Sequence, residues 1–283
     1  MSKNIRIISS IIEMNEFSND LKSGNKKVAY VPTMGALHEG HLSLVDRANQ
    51  IADHTIVSIF VNPTQFGHNE DFGKYTRDLE GDTQKLSSFN VAAVFLPDSK
   101  DIYPESFQTY IEVTDIQKDL CGKSRPGHFR GVATVVVKLF NIVQPDYAVF
   151  GQKDFQQLKV IERLVKDLHL SIEIIPMPIV REEDGLALSS RNAYLSDEER
   201  VKALGLSKAL SIISQRYREG CKDSGILVEE GKNVLKSCGV NDIDYLEIRG
   251  SNNLELIKTA ESGNLVAVAA NIGSTRLIDN IIL

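Results

Sequence analysis

Through the first two-thirds of the chain, short apolar runs alternate with longer stretches in which apolar residues recur every three or four positions. The run at 28–31 (Val-Ala-Tyr-Val) predicts a strand, and a loop containing Pro and Gly separates it from a helix over roughly 40–53. Residues 55–61 predict a second strand, which Asn62-Pro63 stops. A polar helix over 76–89 and strands at 91–96 and 147–151 follow. Beyond them, Ile161, Leu164, Val165 and Leu168 fall on one helical face at i, i+3, i+4 and i+7, and 172–180 returns to strand character. The segment 132–143 is nearly all apolar and rich in valine, which by composition favours a strand. Its length and its stop at Gln144-Pro145 favour a buried helix, and that reading is adopted. Strands alternating with helices imply βαβ units and a largely parallel sheet covered on both faces.

The pattern changes after about residue 180. Ser196-Asp197-Glu198-Glu199 has the spacing of a capping box and predicts a helix to about Tyr217, with a second helix over 227–237. Runs at 243–248, 265–270 and 275–283 then predict strands joined by short turns, which suits an antiparallel sheet. The chain is therefore expected to be α/β, with a Rossmann-like parallel-sheet domain over 1–180 and a smaller C-terminal α+β domain over 181–283. There are no internal repeats or low-complexity tracts.

Composition narrows the function classes. The 283 residues are 42% hydrophobic and 25% charged, ordinary values for a globular chain with a sizeable core. A formal charge of −6 gives no bulk attraction for nucleic acid or an anionic membrane, so neither is expected as a partner. Cys121, Cys221 and Cys238 are an odd number without a C-x-x-C pair, which argues against a disulfide framework and suits a reducing compartment. Near the start, Lys3 and Arg6 precede an apolar run from Ile7 to Ile12, but Glu13 ends it before it reaches the length of a secretion signal. No stretch approaches the about 18 apolar residues of a membrane span, so a cytoplasmic location is expected.

Chemistry concentrates where predicted strands meet predicted helices. Pro32-Thr33-Met34-Gly35-Ala36-Leu37-His38-Glu39-Gly40-His41 follows the first strand and opens a helix, the place where open α/β sheets bind ligands and helix amides meet anions. Two histidines in isolation would read as a surface pair, and H-E-G-H is one residue short of the zinc motif H-E-x-x-H. The strand-to-helix position and the Gly35/Gly40 spacing favour a phosphate site instead. At the far end, Leu188-Ser189-Ser190-Arg191-Asn192 places two hydroxyls and a guanidinium after Gly185, a set able to close over a polyphosphate. Three further clusters lie between. Asn62-Pro63-Thr64-Gln65-Phe66 offers the Gln65 amide, and Gly151-Gln152-Lys153-Asp154-Phe155-Gln156-Gln157 offers a cation with Gln157 one turn later. Arg125-Pro126-Gly127-His128-Phe129-Arg130-Gly131 packs three potential cations into one turn-forming stretch suited to a carboxylate.

The paired H-x-G-H and Ser-Ser-Arg segments resemble the nucleotidyltransferase superfamily, in which they bracket ATP on a Rossmann-like sheet. Taken with F-V-N-P-T-Q-F, R-P-G-H-F-R-G-V, G-Q-K-D-F-Q-Q-L and G-L-A-L-S-S-R-N, the chain from Val28 to Tyr194 resembles the pantoate–β-alanine ligases (pantothenate synthetases). The resemblance implies ATP- and Mg²⁺-dependent condensation of (R)-pantoate with β-alanine through a pantoyl adenylate, releasing AMP and pyrophosphate, in a cytoplasmic homodimer. It implies ATP contacts from Met34, Gly35, Ala36, Leu37, His38, Glu39, Gly40 and His41, and from Gly151, Gln152, Lys153, Asp154, Val180, Leu188, Ser189, Ser190 and Arg191. His41, with His38, Lys153 and Arg191, would carry the chemistry. Gln65, Gln157, Arg125 and His128 would hold pantoate, Gln65 also meeting β-alanine, and the 181–283 domain would act as a lid. The family's Tyr-Pro-Arg is Tyr75-Thr76-Arg77 here, and Gly81 stands where an acid is common; if that acid helps hold Mg²⁺, Asp82 or Glu80 serves here, Asp82 being the candidate ligand, or the metal rests on ATP oxygens alone. A nucleotidyltransferase that stops at the adenylylated product and a non-catalytic nucleotide sensor are the alternatives.

Overall fold

The chain enters its sheet through a short strand, β1 (Arg6–Ile8), after which Ser10 caps helix α1 (Ile11–Leu21) by accepting the Glu13 amide. The computed structural model describes residues 5–67 and 70–283; the first four residues, Lys3 of the amino-terminal reading among them, lie outside the described residues. In order follow β2 (Val28–Thr33), α2 (Glu39–Ile51), β3 (His54–Ile59), α3 (Leu79–Leu86), β4 (Val91–Phe95), α4 (Ser99–Ile102) and α5 (Cys121–Ser124). Next come α6 (His128–Val143), β5 (Tyr147–Gly151), α7 (Phe155–Asp167) and β6 (Glu173–Met177). The remainder forms α8 (Asp197–Arg218), α9 (Ser224–Ser237), β7 (Asp242–Arg249), β8 (Leu265–Ile272) and β9 (Thr275–Ile282).

Two compact units result. The first runs to Gln152 and resumes over Gln157–Pro178; the second joins Lys153–Gln156 to Ile179–Leu283. In the first, six parallel strands lie in the order β1-β4-β3-β2-β5-β6. The strand order runs outward from β2 in one direction through β3 and β4, and in the other through β5 and β6. β2 and β5 therefore flank the topological switch point, where open α/β sheets bind ligands beyond the strand ends. Strand alternation puts helices on both faces. Ala29 and Val31 of β2 join a core with Leu42, Val45 and Ala48 of α2. Tyr30, between them, turns the other way and meets Phe140 of α6 edge-on, their ring centres 6.4 Å apart.

Helix α6 shows why valine content misleads. Val132, Ala133, Val135, Val136, Leu139, Phe140 and Val143 are all buried, so packing outweighs the modest helix penalty of β-branched residues. Left-handed residues bracket it, Gly127 at φ +83° and Gln144 at φ +49°. The start at His128 precedes the expected one by four residues because the Gly127 turn, rather than the apolar run, begins the helix. The β1–α1 pair had no expected counterpart. It is anchored across the sequence, β1 pairing with β4 and the Ser18 hydroxyl donating to the Val143 carbonyl. Leu168 corrects one reading of periodicity: α7 ends at Asp167 and Leu168 stands 44% exposed.

In the second unit, β7, β8 and β9 form an antiparallel sheet in that order. Val266, Val268 and Ala270 of β8 share a core with Leu206, Leu210 and Ile213 of α8 and Leu227 and Leu235 of α9. Ser196 and Glu199 make the anticipated reciprocal cap at the start of α8, at 3.3 and 2.9 Å. Among the described residues no helix is long and apolar enough to cross a membrane.

Candidate active site

The segment after β2 is held in a conformation that few sequences adopt. Gly35 has φ +84° and Ala36 φ +51°. A side chain at Gly35 would meet Ile59 at 3.0 Å and Asp82 at 3.1 Å, so the space is tight, and the backbone angle favours glycine. The turn is clamped from α3. The Asp82 carboxylate accepts the Ala36 and Leu37 amides at 2.8 and 2.7 Å, and Lys85, one turn on, donates to the Leu37 carbonyl at 2.6 Å. Burial raises the Asp82 carboxyl above its ordinary 3.8, while the two amides and the Lys85 charge pull against that rise.

The clamped turn delivers His38 as the cap of α2. Its Nδ1 accepts the Gly40 amide at 3.1 Å, and the His41 Nδ1 accepts the His38 amide at 3.4 Å. The rings lie 4.1 Å apart at a tilt of 35°. A neutral imidazole whose Nδ1 accepts carries its proton on Nε2, so both rings become Nε2–H donors at the first turn of a helix. Such a pair, with the positive end of the helix dipole, suits an anion.

A second constellation follows β3. Asn62, 1% exposed, donates to Gln65 Oε1 at 3.0 Å and to the Gly131 carbonyl at 3.2 Å. Its own oxygen accepts from the Thr64 hydroxyl at 2.9 Å and the Tyr103 hydroxyl at 2.8 Å. The Gln65 Nε2 donates to the Met34 sulfur at 3.0 Å, tying the two strand-end loops together. The backbone of α6 comes close here because Gly131 has no side chain; a Cβ would overlap the Thr64 carbonyl oxygen.

Arg125 and His128 meet Gln65 from the other side. His128 Nδ1 donates to the Gln65 carbonyl at 2.8 Å, and its Nε2 accepts from Arg125 at 3.1 Å, a pattern that one neutral tautomer satisfies. Arg125 also grips Glu70 with two bonds, at 2.7 and 2.5 Å. Burial alone would raise the Glu70 carboxyl, but the hydrogen bonds and charge of Arg125 hold it below its ordinary 4.5. Sequence reasoning missed Glu70, which lies 55 residues from its partner in a polar loop with no periodic signal.

The remaining candidates divide between the units. Gly151 and Gln152 extend the carboxyl end of β5, and Gln157 lies in the first turn of α7, all in the first unit. Lys153 and Asp154 belong to the second, as do Val180 and residues 188–191. Leu188 donates its amide to the Val180 carbonyl at 3.0 Å, closing a small hairpin with a bridge between Arg181 and Ala187. Ser189 then caps a short helical turn over Ser190–Tyr194, its hydroxyl accepting the Arg191 amide at 3.3 Å.

For a divalent metal the donor set is thin. Asp82 spends both oxygens on backbone amides and is 1% exposed. Among the described residues no three His, Cys, Asp or Glu side chains group as a metal cage. The described residues therefore form no protein-only cage for a resident Mg²⁺.

Comparison with known proteins places this geometry in context. A family model described as pantoate-beta-alanine ligase matches residues 6–282. A pantothenate synthetase of Thermotoga petrophila is 52% identical over 279 residues, covering 99% of this chain and all of the relative. The crystal structure of pantothenate synthetase from Thermus thermophilus superposes with a TM-score of 0.93 at 41% identity, covering 98% of this chain and 99% of that one. The pantoate-beta-alanine ligase of Francisella tularensis, solved in complex with beta-gamma ATP and beta-alanine, superposes with a TM-score of 0.83 at 38% identity, covering 98% and 97% of the two chains.

Proposed function

The chain belongs to the pantoate–β-alanine ligase family and is a ligase that joins pantoate to β-alanine with ATP as substrate, and from this premise we propose how its residues divide the work. The reaction runs in two half-reactions. A carboxylate oxygen of (R)-pantoate attacks the α-phosphorus of ATP and pyrophosphate leaves, giving pantoyl adenylate. The neutral amine of β-alanine then attacks the acyl carbon, AMP leaves, and the amine loses a proton as the amide forms. The pantoate carboxylate is ionised at neutral pH, so the first step needs no general base. It needs two anions held in line and charge stabilised on the phosphorus.

The observation that carries this reading is the reciprocal cap of His38 and His41 at the carboxyl end of β2. It supports two Nε2–H donors aimed at phosphate oxygens, with His41 the principal catalytic residue and His38 beside it. In the same reading, residues 34–41, 151–154, Val180 and 188–191 bind ATP, with Lys153 and Arg191 neutralising its phosphates. Gln65 and Gln157 hold pantoate, and Gln65 also meets β-alanine. Among the described residues, the bonds of Gln65 to Asn62 and Met34 use one lone pair and one amide hydrogen, which leaves one of each for substrate. Arg125 and His128 act through Gln65, fixing its carbonyl. When bound, Mg²⁺ would supply charge neutralisation for the phosphates and would be held mainly by the substrate's phosphates and water rather than by a protein cage. The family reading extends to a homodimer in the cytoplasm, with the 181–283 domain as a lid.

Ligation is favoured over a transferase that stops at the adenylylated product, and over a sensor, because the Francisella relative was solved with β-alanine as well as a nucleotide. Product analysis by mass spectrometry after incubation with ATP, Mg²⁺ and pantoate, with and without β-alanine, tests it. Pantothenate and AMP should appear together only when β-alanine is present. Pyrophosphate without amide would support the transferase, and no turnover in a folded protein that binds ATP would support the sensor.

A further inference from the structure

Two consecutive residues of β9, both buried, reach the two nucleotide segments of the second unit. Asn280, 5% exposed, donates from Nδ2 to the Lys153 carbonyl at 2.9 Å. Asp279, 3% exposed, takes the Arg181 guanidinium in a fork of 2.6 and 2.9 Å. Other hydrogens of that guanidinium go to the carbonyls of Gly185, at 3.1 Å, and Asn280, at 3.4 Å. Arg181 is thereby fixed at one side of the 180–188 hairpin and tied across its turn. The hairpin's closing bond, from Leu188 to Val180, leads directly into Ser189, Ser190 and Arg191.

A buried carboxylate paired through one guanidinium fork is a costly arrangement, and an apolar pair of equal size would hold a sheet edge as well. What an apolar pair lacks is direction. The fork fixes the guanidinium plane, and the plane fixes the hairpin. The Asn280 bond has the same character. It goes to a main-chain carbonyl in the turn between β5 and α7, the one place where the chain of the first unit detours into the second.

We propose that Asn280 and Asp279 are positioning residues for nucleotide binding, Asn280 fixing the Lys153 turn and Asp279 fixing, through Arg181, the hairpin that delivers residues 188–191. One strand thereby sets the spacing between the Lys153 ammonium and the Ser-Ser-Arg loop. This inference rests on the assignment of both segments to ATP.

The test is pantoate-dependent pyrophosphate release, with KM and kcat taken separately for ATP and β-alanine, in Asn280→Ala, Arg181→Lys and Lys153→Ala. Losing one neutral hydrogen bond of about 1 kcal/mol predicts that Asn280→Ala lowers kcat/KM for ATP by about fivefold to tenfold. KM for β-alanine should stay near that of the parent, and the unfolding temperature should fall by no more than about 2–4 °C, the shift that one such bond is worth. Arg181→Lys keeps the charge opposite Asp279 but loses the fork, and should show the same ATP-selective loss; it carries the test if Asn280→Ala does not fold. If Lys153→Ala is impaired while the other two keep kcat/KM for ATP within twofold, the positioning role is overturned and the nucleotide assignment stands. If ATP and β-alanine parameters fall together with the unfolding temperature, the pair is merely structural and the role is overturned. If Lys153→Ala has no effect, the nucleotide assignment falls and the positioning role with it.

Discussion

His128 donates from Nδ1 to the backbone carbonyl of Gln65 at 2.8 Å, so the ring holds the main chain of the residue whose amide is assigned to pantoate. Gln65→Ala should chiefly raise KM for pantoate, because an amide that orients a non-reacting group binds ground and transition states alike. His128→Ala should raise the same KM by about threefold to tenfold, the scale of one lost hydrogen bond. Acting through Gln65, it should add little in the double variant. Additive losses in the steady-state cycle, or a collapse of kcat at unchanged KM, would count against this chain of support.

His41→Ala should lower kcat for adenylate formation by about 10²-fold or more, the scale of one lost transition-state donor. Single-turnover pyrophosphate release reads this directly. An unchanged rate would remove His41 from the catalytic group.

Gly131→Ala should raise KM for pantoate and lower the unfolding temperature together. The added methyl would collide with the Thr64 carbonyl, so α6 or the 62–65 turn must move, and Gln65 moves with the turn. Overpacking of this kind typically costs about 1–3 kcal/mol. A variant with wild-type pantoate KM would mean that the turn yields without carrying the amide along.

The Arg125–Glu70 pair gives a pH signature. The Glu70 carboxyl is held below its ordinary 4.5, so its contribution to stability is present above that value and is lost as pH falls through the lowered folded value. Glu70→Gln should unfold about 2 °C below the parent near neutrality, since a partly solvated pair contributes only about 1 kcal/mol. Below pH 4.5 the two melting curves should converge. A gap that stays constant down to about pH 3, well below the ordinary carboxyl range, would show that the stabilisation does not depend on the Glu70 charge.

Local signals explain what the sequence made legible. Alternation of apolar runs with helical periodicity was enough for the β2–β6 series, and the capping-box spacing at Ser196 located α8 to within a residue. The strand-end loops stood out because Gly35, His38 and His41 sit within a few residues of each other at a strand-to-helix junction. What escaped was built from distant partners. β1 has three residues, too few for a periodicity, and is defined by pairing with β4, far along the chain. Glu70 pairs with Arg125 and Arg181 with Asp279, which lies 98 residues away, so no spacing rule links either pair. His128 stood out in the sequence as one of three potentially cationic side chains within seven residues, but its bond to the Gln65 carbonyl depends on ring geometry that spacing cannot encode.

The Asn280 bond ends on a peptide oxygen, which every residue type possesses. The chain passes between its compact units at 152/153, 156/157 and 178/179, so a cut or splice after Pro178 leaves Lys153–Gln156 behind with the first unit. A chimera that joined the chain up to Pro178 to a relative's C-terminal portion would still present that oxygen to the incoming strand, whatever side chain stood at 153. A main-chain acceptor of this kind lets position 153 change its side chain without removing the oxygen to which Asn280 donates.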